Sequence, residues 1–496
     1  MLNVWEPNIS VVIVGGGFTG TLLALAAAAA PRLDVVLVER ERVAGPGLAY
    51  GACGPDLLLN VPMARMEVGL SPTFARWLAA SGADLSAALE EAGGDLARAF
   101  VPRALFGAYL AERLEEALAA GNTRLRRVCG DVVRVSDRPV PGVQLADGRR
   151  IEGTHVVLAT GNLPPKPPRC RDGGVYDSPL FVPDPWRWED LDGLSPDAPV
   201  LLIGSGLTMV DVAVMLAGRG HRGPIWSVSR HGLLPHVHVD VAGRGPGCEP
   251  FLHPAAARDP VMALRFIRAA VARAAAQGVP WQRVMDAARP AVAKVWAGWP
   301  RVARERFLRH ARTYWDIHRH RMAPRVAALL DPLLASGQLK VVPGRITGLE
   351  RVPGGVAATV RRRHSGRSVA LEVARVVNCT GPRSDFASLA LPPFDALREA
   401  GRITPDPLGL GLETHGSAVV DRHGHASTWL FALGPLTRPA FWEVTAVPEI
   451  AVQVQQLVGE LSRAAPPPHR PDARLIADSS ISAEGFERTA LAGALP

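Results

Sequence analysis

Two kinds of hydrophobic pattern alternate along the chain. Short runs of consecutive apolar residues, such as 11–14 and 35–38, are separated by a longer stretch rich in Ala and Leu at 22–30. Short apolar runs bounded by glycine or charge are typical of strands buried on both faces, and a longer apolar stretch between them is typical of a buried helix. The pattern therefore predicts a parallel strand–helix–strand unit at the start of the sequence.

A glycine-rich turn joins the first strand to the helix, and an acid ends the second strand. Gly15 allows a tight turn, Gly17 lets backbone N–H groups approach a pyrophosphate, and Gly20 lets the helix pack closely on the strand. The N-terminus of the helix presents its positive dipole end to phosphates. Glu39, nineteen residues after Gly20, is placed to accept hydrogen bonds from an adenosine ribose. This unit predicts a dinucleotide site. Its other candidate residues are Phe18, Thr19 and Arg40.

The same plan returns later in the chain. Residues 204–209 read Gly-Ser-Gly-Leu-Thr-Met and lie between an apolar run at 200–203 and a helix, which is followed by a strand at 225–229. Met209 replaces the third glycine, so this helix is expected to sit differently. The strand is followed by Arg230 rather than ending on an acid, and this exchange is how such a site accepts a ribose 2′-phosphate. NADPH is therefore preferred over NADH, and the alternative is that Arg230 is a solvated surface arginine. The candidate residues of the second site are Gly204, Gly206, Leu207, Thr208, Ser229 and Arg230.

Each half also closes with a strand that is followed by Thr-Gly. These strands lie at 155–159 and at the end of a short-strand region at 339–377. Thr-Gly puts a small hydroxyl and exposed backbone N–H groups at the carboxyl end of a strand, where open α/β sheets bind ligands. The residues concerned are Thr160, Gly161, Thr380 and Gly381. Both halves thus share one order of elements, and an internal repeat of this kind marks two related nucleotide-binding domains.

The repeat predicts an α/β fold with two Rossmann-like dinucleotide-binding domains, the second for NADPH, together with β-meanders and a helical insertion. The predicted boundaries are 1–170 for the first part of the first domain, 171–250 for the first part of the NADPH domain, 251–335 for the helical insertion, 336–375 for the second part of the NADPH domain, 376–462 for the returning part of the first domain and 463–496 for a C-terminal tail.

Two loops and a late turn complete the first predicted site. The loops at 45–51 and 57–66 come soon after the first nucleotide-binding unit and could line the rest of the cofactor. A buried strand at 429–433 meets a Gly-Pro turn, where backbone N–H groups can meet the pyrimidine ring of a flavin. The candidate residues from these segments, and from the strand at 132–135, are Tyr50, Asn60, Val61, Met66, Val132, Gly434 and Pro435. Aromatic residues at helical spacing within 72–120 are instead predicted to pack in the core.

The predicted insertion, from about 254 to 334, contains a charged stretch. Residues 318–321 read His-Arg-His-Arg and are soon followed by Pro324. They could hold an anionic substrate or a cofactor phosphate. Alternatively, they could be the solvated end of a helix stopped by the proline, since helix C-termini favour cations. No metal site is expected there, because adjacent arginines raise the electrostatic cost of binding a cation.

Composition and cysteine spacing exclude several classes of protein. The net charge is +8, but only three of the 55 cationic residues are lysine, and no basic run is interleaved with aromatic residues. This skew indicates a codon bias rather than a nucleic-acid-binding face. The five cysteines form no Cys-x-x-Cys pair, which argues against a dithiol reductase, a zinc ribbon or a disulfide scaffold and suits a reducing cytoplasm. No signal peptide or membrane-spanning run is recognisable, so we expect a soluble cytoplasmic protein without membrane partners.

Several segments together resemble the YdhS-type FAD/NAD(P)-binding proteins. The resemblance covers about 8 to 462 and is carried by the turn at 15–17, Gly-Leu-Ala-Tyr-Gly at 47–51, Leu-Asn-Val-Pro at 59–62, Gly-Leu-Thr-Met-Val-Asp at 206–211 and Gly-Pro-Leu-Thr-Arg at 434–438. More distantly, the plan is similar to that of two-dinucleotide, single-component flavin monooxygenases, which include amino-acid N-hydroxylases. Relatives of YdhS-type proteins include enzymes thought to oxidise the amine of aspartate toward nitrosuccinate, so the resemblance implies a related oxidation.

Some positions depart from the patterns of these families. Residues 158–167 meet the N-hydroxylase pattern Leu-Ala-Thr-Gly-x-x-x-x-x-Pro, but Asn162 stands where tyrosine is usual and Thr154 stands where an acid is usual. Ser178 and Val182 stand where a Baeyer–Villiger enzyme would have glycine and histidine, which argues against that chemistry.

The preferred hypothesis is a monooxygenase in which NADPH reduces FAD and the reduced flavin uses O₂ to oxygenate a small amine or amino acid. The alternatives are an NADPH-dependent reductase without oxygenation and a non-catalytic, nucleotide-binding redox sensor. Arg438 beside the late turn and Arg321 in the insertion could converge to clamp the carboxylates of an acidic amine such as aspartate. They could instead serve NADPH phosphates or stabilise an oxygenated flavin. Asn162 is the third catalytic candidate.

Overall fold

The computed structural model describes residues 9–51, 57–121, 124–239, 257–464 and 475–476. Cys53, Cys248, the start of the predicted insertion at 251–256 and most of the predicted tail lie outside these residues.

The described residues form strands and helices in the order expected for two nucleotide-binding domains. The strands are β1 (Ile9–Val14), β2 (Leu33–Glu39), β3 (Leu125–Cys129), β4 (Val132–Ser136), β5 (Gly142–Leu145), β6 (Arg150–Glu152), β7 (His155–Leu158), β8 (Arg171–Gly173), β9 (Phe181–Val182), β10 (Val200–Ile203), β11 (Ile225–Ser229), β12 (Leu339–Val352), β13 (Gly355–Arg362), β14 (Ser368–Val373), β15 (Arg375–Asn378), β16 (Thr414–His415), β17 (Ala418–Val420), β18 (Ala426–Ala432) and β19 (Leu475–Ile476). The α-helices are α1 (Phe18–Ala29), α2 (Gly47–Tyr50), α3 (Phe74–Ala80), α4 (Ser86–Glu91), α5 (Arg103–Ala119), α6 (Leu207–Gly218), α7 (Pro260–Ala275), α8 (Trp281–Gly298), α9 (Arg301–His310), α10 (Arg312–Arg319), α11 (Pro324–Ala335), α12 (Phe394–Glu399) and α13 (Val447–Arg463). Short 3₁₀ turns cover Met63–Met66, Leu96–Arg98, Trp188–Leu191 and Gly434–Thr437.

The first domain is built on a parallel sheet with the order β3-β2-β1-β7-β18, which β17 and β16 extend in antiparallel fashion. Successive side chains of a strand point to opposite faces, and every side chain of β1 is buried. Val11 and Ile13 join a core with α1, α5 and α13, whereas Val12 and Val14 join a core with the β4–β6 meander and α12. Burial on both faces explains why the strand reads as a continuous apolar run.

The second domain repeats this order as β12-β11-β10-β15-β9, again with parallel pairing. The two sheets differ in where their fifth strand comes in the sequence. In the first sheet the fifth strand, β18, follows the whole second domain in the sequence, whereas in the second sheet the fifth strand, β9, precedes the other four strands. β12 continues into an antiparallel meander with β13 and β14. The predicted α/β fold with two Rossmann-like domains is therefore confirmed.

The helical insertion packs on the first domain. Trp296 of α8 stacks on Trp442 with ring centroids 4.5 Å apart, and both rings are buried in one core with Phe307 of α9. The last helix, α11, instead joins the core of the second domain, where Leu330 packs with residues of α6. Helices α7 to α10 thus bridge from the second domain back to the first.

Two local predictions were wrong. The segment 45–51, predicted as a loop, contains the single helical turn α2. Pro324 does not stop the charged helix, because α10 already ends at Arg319 and the proline occupies the first turn of α11, where its missing N–H costs nothing. The prediction that aromatic residues of 72–120 pack in the core is confirmed, since Phe74 and Tyr109 are fully buried. No helix within the described ranges is long and apolar enough to cross a membrane.

Candidate functional site

The first glycine turn has the geometry of a phosphate cradle. Gly15 has φ +104°, and a Cβ there would lie 2.6 Å from the carbonyl oxygen of Ala159. Gly17 is the N-cap of α1 and contributes no capping side chain, so the N–H groups of the first turn are left for a ligand. Gly20 faces the turn so closely that a Cβ would lie 1.8 Å from the carbonyl oxygen of Gly15. Gly15 and Gly20 therefore require glycine for the tight turn and the close packing predicted from the sequence, whereas the predicted approach of Gly17 to a pyrophosphate stays a prediction.

Glu39 lies at the mouth of this turn. Its Oε2 accepts a hydrogen bond from the Gly16 N–H at 2.5 Å and its Oε1 accepts one from the Glu41 N–H at 3.0 Å. The carboxylate is therefore fixed at the carboxyl end of β2 with lone pairs left for a ribose. Of the other two candidates on this side, Arg40 is exposed, and the Val132 side chain is buried at the start of β4.

Helix α2 closes over the cradle. The Gly45 N–H donates to the Gly16 carbonyl at 2.6 Å, and a Cβ on Gly47 would lie 2.7 Å from the Gly17 Cα. At the other end of α2, the Tyr50 ring meets Phe18 edge-on, with centroids 6.1 Å apart. Burial raises the pKa of Tyr50 to about 12 in spite of the nearby positive charge of Arg103, so the phenol stays protonated at neutral pH.

The late Gly-Pro turn reaches the same cradle. Gly434 has φ +68°, and a Cβ there would lie 3.0 Å from the Thr19 Oγ1. The Gly434 N–H donates to the buried Gln453 Oε1 at 2.9 Å, and the Thr437 hydroxyl donates to the Gly434 carbonyl at 2.9 Å. Gly434 and its neighbour Pro435 are thus held at the N-terminus of α1.

The first Thr-Gly lies beside this cradle. The Thr160 Oγ1 is buried and has no hydrogen-bond partner among the residues that the structure describes. A buried hydroxyl without a partner is costly, so it indicates a position for a ligand. Gly161 follows with φ +67°, and Asn162 is exposed. The residue after Asn162, Leu163, forms an antiparallel bridge with Arg383.

The second glycine turn repeats the first. Gly204 has φ +119°, and a Cβ there would strike the Cys379 carbonyl oxygen, as a Cβ on Gly15 would strike the carbonyl of Ala159. Gly206 is the N-cap of α6, which begins with Leu207 and Thr208, and has open space where its Cβ would be. Met209, at the position of the third glycine, is fully buried. The second Thr-Gly differs from the first, because the Thr380 hydroxyl is satisfied by the Asn378 Oδ1 at 2.7 Å. Gly381 follows with φ +88°.

A positively charged patch lies at the end of β11. Arg230 is exposed and forms no ion pair within the part of the chain that the structure describes. Although Arg230 is exposed as a whole, burial of part of its side chain lowers its pKa. The neighbouring charges of Arg312 and Arg345 lower it further, and Asp316 opposes them. Arg363 donates to the Arg230 carbonyl at 3.3 Å, and the Ser229 hydroxyl accepts from the Ser205 hydroxyl at 2.7 Å. An anion such as a phosphate would relieve this repulsion.

A buried ion pair that was not predicted joins the two domains. Arg103, at the start of α5, donates from Nη2 to the Asp211 Oδ2 on α6 at 2.9 Å and to the Leu58 carbonyl at 3.1 Å. Burial raises the pKa of Asp211, an effect that the positive charge of Arg103 opposes. The same arginine thus holds both the 57–66 loop and the nucleotide-binding helix of the second domain. Sequence reasoning could not find this pair, because nothing local marks Arg103 in an arginine-rich chain.

The predicted catalytic arginines lie in different surroundings. Arg438 stacks on Trp442, with Cζ 4.2 Å from the ring centroid, and burial lowers its pKa to about 10. Arg321 is only 2% exposed and pairs with Asp286, Nη2 to Oδ1, at 2.5 Å. Arg319, which was predicted only as part of the charged stretch, lies 2.8 Å from the buried Glu443.

The remaining first-site candidates lie in one segment. Asn60 is exposed and its carbonyl is contacted by the His238 Nε2 at 2.9 Å, whereas Val61 is half-buried and Met66 packs in the core. His238 belongs to the segment that leaves β11, so this contact also crosses between the domains. Within the described ranges, no group of three or more His, Cys, Asp or Glu residues could hold a metal ion.

The fold and the two cradles define a protein with two dinucleotide-binding domains. In agreement, residues 12–163 match the model of a family described as FAD-NAD(P)-binding. The narrower resemblance to YdhS-type proteins stays a prediction.

Known proteins similar to this chain include flavin monooxygenases. This chain is 33% identical over 162 residues to the L-aspartate N-monooxygenase (nitrosuccinate-forming) of Streptomyces cremeus. The aligned region covers 30% of this chain and 24% of that relative. The match therefore spans about a quarter of the relative's length. The structure of L-lysine 6-monooxygenase from Pseudomonas syringae is similar with a TM-score of 0.63 and 17% identity, and that of the ornithine N-hydroxylase from Kutzneria sp. 744 with a TM-score of 0.62 and 17% identity. Each comparison covers 92% of this chain and 99% of the other. At 17% sequence identity, the likeness to these solved structures establishes the fold alone.

Proposed function

We propose that the protein is an FAD- and NADPH-dependent monooxygenase that oxygenates a small amine or amino acid by N-hydroxylation. The observation that carries the proposal is the pairing of two cradles of the same geometry. One lies beside an acid and a buried hydroxyl that has no partner among the described residues, and the other lies beside an arginine patch. The Kutzneria enzyme, whose structure contains reduced FAD, NADP⁺ and L-ornithine, supports the same pairing of cofactors.

The residues of the first cradle fit FAD. Gly15, Gly17 and the first turn of α1 would hold the pyrophosphate, Glu39 would accept from the adenosine ribose, and the unpartnered Thr160 hydroxyl would gain a partner. The Gly434 N–H is already held by Gln453, so the remaining N–H groups of the late turn would be the ones to face the flavin ring.

The residues of the second cradle fit NADPH. Gly204 and Gly206 open α6 to a pyrophosphate, and Arg230 with its cationic neighbours would accept the 2′-phosphate. No acid ends β11 in competition with that phosphate. The alternative that Arg230 is only a solvated surface residue predicts equal use of NADH.

Bound FAD would supply the redox chemistry, namely acceptance of a hydride from NADPH and reaction with O₂. The chain's own residues bind and orient the cofactors and the substrate and exclude water from them. This division of roles explains why the chemistry needs no catalytic triad. Arg438, whose Cζ lies 4.2 Å from the centroid of the Trp442 ring, places a largely desolvated positive charge near the late turn. A fixed cation in a desolvated site stabilises negative charge that develops close to it.

The proposed substrate class is a small acidic amine. The Streptomyces relative acts on L-aspartate, and the buried Arg321 of the insertion supports recognition of a carboxylate, whereas Arg438 lies over Trp442 beside the late turn. The cytoplasmic location stays a prediction from the cysteine spacing.

The test is a set of coupled measurements on the purified yellow protein. NADPH oxidation, O₂ uptake and hydroxylated product are followed with L-aspartate and, as a control, with neutral and dibasic amino acids. We expect product and O₂ uptake to rise together with the acidic amine. NADPH oxidation that needs another electron acceptor and yields no oxygenated product would support the reductase instead.

A further inference from the structure

Three parts of the chain meet at one carboxylate on α8. Asp286 pairs with Arg321 through Oδ1 at 2.5 Å and with Arg65 through Oδ2 at 3.3 Å. Arg65 belongs to the first domain and Arg321 follows α10 of the insertion. One negative charge therefore serves two guanidinium groups, which leaves a positive charge uncompensated within this trio.

The neighbouring ion pairs do not cancel this surplus. Arg289 makes a two-pronged pair with Glu449, and Arg319 pairs with Glu443 at 2.8 Å, so each nearby acid already has its own cation. Burial and the charge of Arg321 lower the pKa of His238 to about 4, so this histidine is neutral at pH 7 and adds no charge. The unbalanced charge belongs to the arginines that share Asp286.

The two arginines differ in a way that suits a binding site. Arg321 is almost fully buried, its Cζ lies 6.0 Å from the centroid of the Trp281 ring, and its Nε has no hydrogen-bond partner among the described residues. The side chain of Arg65 is 35% exposed and can be reached from solvent. Arg321 is thus held in place by its surroundings, whereas Arg65 is accessible from solvent. Guanidinium groups bind carboxylates through two parallel hydrogen bonds.

The position of this trio points to the reaction site. Arg65 follows Asn60 and Val61 in the 57–66 loop, which the sequence predicts to line the cofactor. The His238 Nε2 donates to the Asn60 carbonyl from the segment that leaves the second domain. The same segment is joined to the charged stretch of the insertion by the parallel bridge between Val237 and Met322. The arginines therefore lie where both domains and the insertion converge.

We propose that Arg65 and Arg321, spaced by Asp286, form the binding site for a carboxylate of the small amino-acid substrate. Arg65, and not Arg438, is then the partner of Arg321, and Arg438 is left to act beside the late turn. This inference rests on the proposed function for its choice of substrate, and it assigns to Arg65 a role in specificity.

The direct test is the binding of succinate, a dicarboxylate without an amine, to the purified flavin-loaded protein by titration calorimetry. Arg65→Gln removes the accessible guanidinium, and losing a charge-assisted hydrogen bond should weaken succinate binding about ten- to a hundredfold. Arg65→Lys keeps the charge but loses the two parallel N–H donors of the guanidinium group, so its affinity for succinate should lie between those of wild type and Arg65→Gln. The matched control is Arg325→Gln, because Arg325 is similarly exposed and pairs with Glu91 away from this cluster. The control should bind succinate as wild type does.

Flavin content and anaerobic flavin reduction by NADPH, measured in the same variants, separate the two proposals. Reduction at the wild-type rate with a raised KM for L-aspartate in Arg65→Gln supports both. Succinate binding that depends on Arg65 in a protein that forms no oxygenated product supports the carboxylate site and removes the monooxygenase. Equal succinate affinity in wild type and Arg65→Gln, or no saturable binding to wild type, overturns the site whatever the enzyme does.

Discussion

A single methyl group at Gly20 should separate the packing role of a glycine from its ligand-binding role. In Gly20→Ala the new Cβ would lie 1.8 Å from the Gly15 carbonyl oxygen, whereas a carbon and an oxygen pack comfortably at about 3.3–3.6 Å. The turn and α1 must therefore move apart by roughly 1.5 Å. Overpacking a core costs about 1–3 kcal/mol. We expect a cost at or above the upper end, since the opposing atom belongs to the backbone and α1 is held by α5 and α13.

Two other glycines provide matched controls. At Gly17, the nearest atom to an added Cβ is the Gly47 Cα at 3.4 Å, an ordinary contact, so Gly17→Ala should fold normally but obstruct the pyrophosphate. At Gly206, no atom of the described residues lies within 4 Å of the added atom, so Gly206→Ala should change the stability of the protein without ligand only slightly. The buried Met209 shows that a side chain at the third position is accepted only where the helix has been placed to receive it.

The assay is thermal unfolding of the flavin-free proteins by circular dichroism, together with the flavin content of each protein as purified. Gly20→Ala should lose both stability and flavin, Gly17→Ala should lose flavin alone, and Gly206→Ala should keep both. Wild-type stability in Gly20→Ala would refute the packing argument. An equal loss of stability in Gly17→Ala and Gly20→Ala would show that the two roles are not separate.

Three further substitutions test the second site, the ion pair between the domains and the loss of stability at acidic pH. Arg230→Ala should raise the KM for NADPH about ten- to a hundredfold and leave that for NADH nearly unchanged, and an equal effect on both would make it a surface residue. Arg103→Met leaves Asp211 buried without its cation and should lower the free energy of unfolding, measured in urea at pH 7, by about 3–5 kcal/mol. This loss should shrink at low pH, where the carboxyl is protonated. A loss below about 1 kcal/mol at pH 7 would contradict the pairing. Burial lowers the pKa of His155 from 6.5 to about 4, so stability should be lost as pH falls from 6.5 to about 4, at about 1.4 kcal/mol per unit; His155→Gln should flatten that slope, and an unchanged slope would assign it to other groups.

The parts of the molecule that could be predicted are those encoded by neighbouring residues. The strand β1, its glycine turn and the acid of β2 lie within one short stretch, and a strand buried on both faces must be apolar throughout, so the pattern and the structure agree. Gly434 was predictable for the same reason, since a positive φ after a buried strand favours glycine.

The parts that could not be predicted depend on pairs that are distant in sequence. Arg65 meets Asp286, and Arg103 meets Asp211, only after both domains and the insertion have folded. In a chain with so many arginines, no single one is distinguished by its local sequence. The short strand β9 was missed because two residues give no period to read.

The route by which β18 joins the first sheet has a consequence for how the protein is made. β18 pairs with β7, yet the whole second domain and the insertion are translated between them. Until the ribosome has passed β18, the edge of β7 stays unpaired, and an open strand edge is a template for aggregation. The Gly434 turn and α13 arrive later still, so the flavin site is completed only after the second domain and the insertion have been translated. A product truncated before β18 should therefore be bound by chaperones or degraded by proteases, and flavin uptake should begin only after α13 has been translated.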